Sequence, residues 1–289
     1  LFALTTIGHI YQAWRLKKTF CWVLIMGGIW EVIAMGTRII EIINSSNKSL
    51  NQTSFVFILL APLWINAFCY IIVGRMIHFY MPDHQVAGIK GERVAMIFVL
   101  ADISSFIVQL GGALIATGTG NNVSYNQTMT GLHVYTAGIC YQEAVIIAVI
   151  VLLILFQLRL KHQSALGDKQ SAYRLLIVLY SALTLITWRI AYRIVEYSSG
   201  TKTPLRNQIS DNEWYLYVFD TGPMFLALVV FHLYHPGRVL VGENSEFPKL
   251  TKEEKRQKKE DKMLAKKEKR RLKAEKKLSA VSSLPLQDV

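Results

Sequence analysis

Long apolar runs separated by short polar connections make up most of this chain. Six of them, Phe20–Ile43, Phe55–Ile77, Val94–Ala116, His133–Phe156, Leu175–Val195 and Trp214–Leu233, approach or exceed the ~20 residues that a helix needs to cross ~30 Å of hydrocarbon. A seventh, Leu1–Trp14, is too short to span alone and is expected to be the end of a first span that begins before Leu1. No run alternates with a period of two, which argues against a barrel. The expected fold is all-α: a polytopic membrane bundle of seven transmembrane helices over residues 1–240, followed by a basic tail over 241–289.

The connections alternate in character. Arg15, Lys17 and Lys18 follow the first run, Arg75, Lys90 and Arg93 flank the loop after the third, and Arg159, Lys161, Lys169 and Arg174 flank the loop after the fifth. Such basic clusters mark the cytoplasmic side. Acceptor sequons occupy the intervening loops, with Asn47, Asn51, Asn122 and Asn126 as candidate glycosylation sites. Both signals place the N-terminus outside and the C-terminus in the cytoplasm. The plasma membrane is the expected location.

Hydrophobic residues form 52% of the chain, yet its net charge is +12. Most of that charge is local: Lys249 to Lys277 holds 15 basic and 6 acidic residues, a net of +9. The basic balance is therefore a property of the tail and gives no case for a nucleic-acid partner. The stretch reads as a solvated polar tail, helical or disordered, that helps fix topology, or as a polybasic contact with anionic inner-leaflet lipid. Cys21, Cys69 and Cys140 lie in or beside apolar runs and form no disulfide or zinc framework.

Charged and amide side chains inside the apolar runs are the main candidates for function, because each is costly in hydrocarbon. The second run holds Glu31 and Arg38, seven residues apart on one face, with Glu41 beyond. The fourth holds Asp102 and Gln109, again seven apart, and the fifth holds Gln142 and Glu143. In the sixth, Arg189, Arg193 and Glu196 fall within about 60° of one another on a helix. Asp220 lies in the seventh. Arg193 is expected to pair with Glu196, Asp220 or both. Glu31, Arg38, Asp102, Gln109, Gln142, Arg189, Arg193, Glu196 and Asp220 together are expected to line a polar cavity that opens outward. Pro62 and Pro223 read as helix kinks. The chain has no phosphate-binding glycine loop, no paired-histidine metal motif and no nucleophile elbow, so no catalytic residue, metal site or cofactor is expected.

These residues also carry a family resemblance. Leu60-Ala61-Pro62, Tyr70 and Gly74-Arg75 belong to it in the third run, then Asp102, Gln109, Gly111 and Gly112, then Gly131, Gly138 and Gln142. Its most specific part is Arg189-x3-Arg193-x2-Glu196-x3-Gly200, followed by Glu213, Tyr217, Asp220 and His235-Pro236-Gly237. The chain resembles the fungal RTA-like lipid-translocating exporters, seven-span proteins linked to sterol-analogue resistance, sphingoid-base release and porphyrin traffic. The resemblance implies a membrane protein that translocates or exports lipid-like amphiphiles and serves lipid homeostasis and resistance to toxic compounds. The alternative is a seven-span receptor or sensor of extracellular lipid-like ligands. Against it, no acidic residue precedes Arg75 at the end of the third run and no Asn-Pro-x-x-Tyr closes the seventh.

Overall fold

The computed structural model describes residues 1–43, 48–118, 124–162, 168–198, 203–240 and 247, with a few positions between 256 and 268. Within these, only the backbone is described at 48–52, 205, 210 and 211. The described residues of the first unit, Leu1–Glu246, are helical almost throughout. Its elements are α1 (Phe2–Leu16), α2 (Trp22–Ile43), α3 (Lys48–Tyr80), the strands β1 (Gln85–Val86) and β2 (Ile89–Lys90), α4 (Gly91–Thr117), α5 (Tyr125–His162), α6 (Lys169–Ser198), α7 (Pro204–Asp211) and α8 (Gly222–Leu233). Among the described residues, six segments are long and apolar enough to cross a membrane. They include α2 to α6, and the sixth, Leu216–Arg238, contains α8. The 15-residue α1 is not one of the six.

Consecutive long helices pack against each other and α8 returns to α1, which closes the ring. The central helix is α3, which also touches α5, α6 and α8. Ile65, Phe68, Cys69, Ile72, Val73, Met76 and Ile77 on it are fully buried. The peripheral helices show the reverse of a water-soluble protein. On α4 the exposed face is Met96, Leu100, Ile103, Ile107 and Leu114, while Asp102, Ser105, Gln109 and Gly112 point inward. Lipid tails solvate an apolar face as well as a protein core does, so polar groups are what must be buried. The fold and its surface make the chain an integral, multi-pass membrane protein.

Small residues set the closest approach, between α4 and α5. A Cβ on Gly131 would meet the Ala116 Cα at 2.6 Å, and one on Gly112 would meet the Tyr135 Cα at 2.7 Å. Only backbone without side chains can come so close, the usual device of helix pairs in membranes.

Three local features go beyond what the sequence specified. Pro62 lies inside α3, which continues through it as one helix of 33 residues. The seventh apolar run is not uniformly α-helical: Leu216–Thr221 forms a π-helical turn, and the Gly222 amide donates to the Tyr217 carbonyl five residues back. Pro223 is the physical reason. It has no N–H to donate to the Phe219 carbonyl, and its ring crowds that oxygen, so the turn before it widens. The polar connection after α6 contains α7, whose Thr203 hydroxyl caps the Arg206 amide at 3.3 Å with Pro204 in the first turn. The Thr-Pro pair was a legible helix start.

The hairpin of β1 and β2 joins α3 to α4 through Ala87 (φ 50°) and Gly88 (φ 76°), both left-handed as a two-residue hairpin turn requires. Asp168 precedes α6. The Ser171 hydroxyl, aided by the Gln170 and Ser171 amides, holds its carboxyl below the usual carboxylate range. The second unit, Phe247–Val289, contains the basic tail. Most of Lys249 to Lys277 lies outside the described residues; within it, Arg256 and Glu260 form an exposed ion pair at 3.4 Å.

The close α4–α5 approach is open to test. Gly131→Val should destabilise the detergent-solubilised protein by the ~1–3 kcal/mol typical of overpacking. Gly111→Ala should be neutral, since a Cβ there meets nothing within 4 Å. Thermal unfolding of the two variants measures the difference, and equal melting would contradict the packing.

Candidate functional site

At the heart of the bundle one carboxylate is held by two guanidiniums. Asp220, in the π-helical turn, is 3% exposed. Arg193 reaches it with both prongs, Nε to Oδ1 at 2.6 Å and Nη2 to Oδ2 at 3.0 Å. Arg189, one turn earlier on α6, places its Nε 3.0 Å from the same Oδ1 as an ion contact. The remaining Arg193 nitrogen, Nη1, donates to Glu196 Oε2 and to the Tyr197 hydroxyl, both at 3.3 Å. Arg193 therefore pairs with Asp220 and Glu196 together. Glu31 of α2, 4% exposed, faces this cluster and lies within electrostatic reach of Arg189, Arg193 and Asp220.

Two prolines help to build the arrangement. Arg189 donates its Nη2 to the Ile58 carbonyl at 3.2 Å. Ile58 is four residues before Pro62, so its carbonyl lacks the helical amide that would otherwise take it. Pro62 thus supplies α3 with an acceptor for a buried guanidinium. Pro223 opens the turn that carries Asp220. Helices with both prolines replaced by alanine would offer neither group in this form.

The charged core continues to the end of the bundle where α2 and α6 finish. Arg38 donates Nη1 to Glu41 at 2.8 Å and Nη2 to Glu213 at 2.5 Å, which ties α2 to the segment that follows α7. A cavity of about 150 Å³ lies between the two ionic groups, lined by Arg38, Glu41, Phe55, Arg193, Glu196 and Tyr197 among others. Glu41 Oε2 is buried and accepts no hydrogen bond from the described residues.

Next to it is a larger pocket of about 380 Å³ bounded by α3, α4 and α5. Its walls include Val56, Leu110, Ala113, Leu114 and Leu132, and it reaches the bundle surface at Leu114, 58% exposed. Phe55 and Tyr197 line both spaces. Tyr135 packs edge-on against Tyr197 with ring centroids 4.5 Å apart, and the Arg206 guanidinium lies 4.8 Å over the Tyr197 ring. An apolar pocket therefore adjoins a charged one across two aromatic rings.

The residues singled out in the sequence fall into three groups. Glu31, Arg38, Arg189, Arg193, Glu196 and Asp220 form the charged core and its extension. Asp102 stands apart, hydrogen-bonded by Asn66 and Tyr70 of α3. Gln109 donates to Gln142 at 3.0 Å and to Ser105 at 2.9 Å, and Ser105 donates to the Gly138 carbonyl. These amides lie in the α4–α5 seam and line neither cavity described above. The apolar pocket was not legible, because Ala113, Leu110 and Leu132 look like any lipid-facing residues until α3, α4 and α5 are assembled. The sequon residues Asn47 and Asn122 and the side chain of Asn51 lie outside the described residues, while Asn126 is exposed in the first turn of α5.

A helical membrane bundle with an ionic core and an adjoining apolar pocket is the class that fold and site define. Within it, residues 24–243 match the family described as RTA1 like protein, and the chain belongs to that family. It is 40% identical over 264 residues to the probable lipid transporter atnI of Emericella nidulans, covering 88% of this chain and 68% of that protein. Protoporphyrin uptake protein 1 of Saccharomyces cerevisiae is 28% identical, over 71% of this chain and 65% of the relative. The sphingoid long-chain base transporter RSB1 of the same yeast is 23% identical, over 83% and 70%. The chain thus spans about two thirds of the length of these relatives. No solved structure matches it.

The ionic core makes a sharp expectation. Arg193→Ala would leave Asp220 with one partner in a buried site, where breaking a pair costs ~3–5 kcal/mol. Arg193→Lys keeps the charge and loses the two-pronged fork. The Lys variant should therefore be recovered from membranes in clearly greater amount than the Ala variant, yet melt below the native protein. Equal recovery of all three would show that the Arg193–Asp220 contact does not hold the bundle.

Proposed function

We propose that this protein translocates single-chain, lipid-like amphiphiles with a cationic head across the membrane. The observation that carries the reading is the pairing of spaces: a 380 Å³ apolar pocket for a chain beside a 150 Å³ charged cavity for a head group, divided by Phe55 and Tyr197. Pockets of this size and lining are what ligands of a few hundred daltons occupy. Charge supports a cation over a phosphate. The guanidiniums of Arg38, Arg189, Arg193 and Arg206 are outnumbered by the carboxyl groups of Glu31, Glu41, Glu196, Glu213 and Asp220. Arg38 and Arg193 are already engaged by two acids each. Glu41 Oε2 is left as an acceptor without a donor among the described residues. The names of the relatives, a lipid transporter and a sphingoid long-chain base transporter, agree with this head and tail.

In this reading the N-terminus and the cavity end of the bundle face outward at the plasma membrane, and α1 belongs to a seventh span. The tail rests on anionic inner-leaflet lipid. Glycosidase treatment should then shift the gel mobility of the expressed protein, and replacing Asn47, Asn51, Asn122 and Asn126 together should remove the shift. A C-terminal tag stained by antibody on unpermeabilised cells would contradict the orientation.

Proteoliposomes of the purified protein test the function itself. Labelled sphingoid base should cross faster than in empty vesicles, and faster than a lysophospholipid. Ala113→Trp, which fills the apolar pocket, and Glu41→Gln, which removes a head-group acceptor, should each slow it while the protein still folds. Saturable binding of the base with no flux would turn the reading to a sensor.

A further inference from the structure

Asp102 is an intramembrane acid that the ionic core does not absorb. It is 2% exposed on the inner face of α4. Its Oδ2 takes both of its hydrogen bonds, from Asn66 Nδ2 at 3.0 Å and from the Tyr70 hydroxyl at 2.9 Å. Both donors are neutral. Its Oδ1 and the Asn66 Oδ1 are buried and accept nothing from the described residues. No Lys, Arg or His among those residues lies within ion-pair distance of it. The titratable groups around it are Tyr70 and Cys69 on α3 and, near Tyr70, Glu143 on α5, and none is a cation. Asp220, at similar burial, has two guanidiniums.

An ionised carboxylate with only neutral partners is among the most costly groups to keep in a membrane interior. Each of these two buried oxygens can only accept, and the described residues offer neither of them a hydrogen. A metal ion is a poor substitute. Hard cations take six or more oxygens, and no group of three or more acidic, His or Cys side chains among the described residues is placed to hold one.

We propose that Asp102 is a proton-binding site, neutral in the arrangement described here, which loads and releases one proton as the transporter cycles. One proton on the carboxyl turns one of the two orphan acceptors into a donor. Release leaves a charge that only water or a moved helix can stabilise, so the proton state and the α3–α4 packing depend on each other. This coupling rests on the transport reading, whereas the proton itself does not.

Two measurements separate the parts. Infrared difference spectroscopy of the purified protein should show the C=O stretch of a neutral carboxylic acid that disappears in Asp102→Asn. Tyr70→Phe, which keeps the acid but removes one donor, should shift that band and not abolish it. A native spectrum identical to that of Asp102→Asn would overturn the proton site. In proteoliposomes, an imposed pH gradient should accelerate sphingoid-base flux by the native protein, and the acceleration should be lost in Asp102→Asn. Native flux indifferent to the gradient would overturn the coupling and leave transport standing. Absence of flux under any gradient would count against the transport reading, and the infrared band would still decide whether Asp102 holds a proton.

Discussion

Asp220 held between Arg189 and Arg193 is the contact on which the rest depends. In hydrocarbon an ion pair with one member missing is far more costly than in water, so these three groups can exist only together. Their requirement fixes much else. It brings the α8 segment against α6, draws the Ile58 carbonyl of α3 to Arg189, and keeps Glu31 of α2 facing the same point. Four segments of the ring are thereby held around a polar centre, where burial of apolar surface supplies little because the surroundings are apolar as well. Close packing of small residues, as between α4 and α5, does the remainder.

The prolines show how backbone chemistry prepares that centre. A helix normally consumes its own carbonyls, so a buried guanidinium finds few acceptors on a neighbouring helix. Pro62 leaves the Ile58 oxygen available at the right depth, and Pro223 widens the turn that carries Asp220. Both were visible in the sequence, but only as kinks. Their roles as supplier of an acceptor and maker of a π-helical turn depend on which side chain arrives opposite, and that is set by tertiary structure.

Much of the fold was legible because a bilayer imposes simple demands. Run length gave six of the helices, and seven-residue spacing put Glu31 with Arg38 on one face and Asp102 with Gln109 on another. The stripe of Arg189, Arg193 and Glu196 pointed directly to the ionic core. Three things were hidden. The set expected to line one cavity divides among three places, because residues that share a helix face can still meet different neighbours along its length; Asp102 meets Asn66 and Tyr70, whereas Gln109 meets Gln142. The helix α7 was hidden despite its Thr203-Pro204 start, since Leu205 and Ile209 are its only large apolar residues and do not stand out within a polar connection. The pocket beside the core is made of ordinary Leu and Ala positions and takes shape only once the helices that line it are assembled.

The central claim is that one ligand occupies both spaces, with its head by Glu41 and Glu196 and its chain by Leu110, Ala113 and Leu132. The most direct measurement is crosslinking of a long-chain amine that carries a photoreactive group at the end of its chain, read by peptide mass spectrometry on the reconstituted protein. The account expects labelling of the α4 and α5 residues around the pocket, competed away by unlabelled long-chain amine and weakened in Glu41→Gln. Labelling spread over the exposed faces of the bundle, indifferent to competitor and to Glu41, would contradict it.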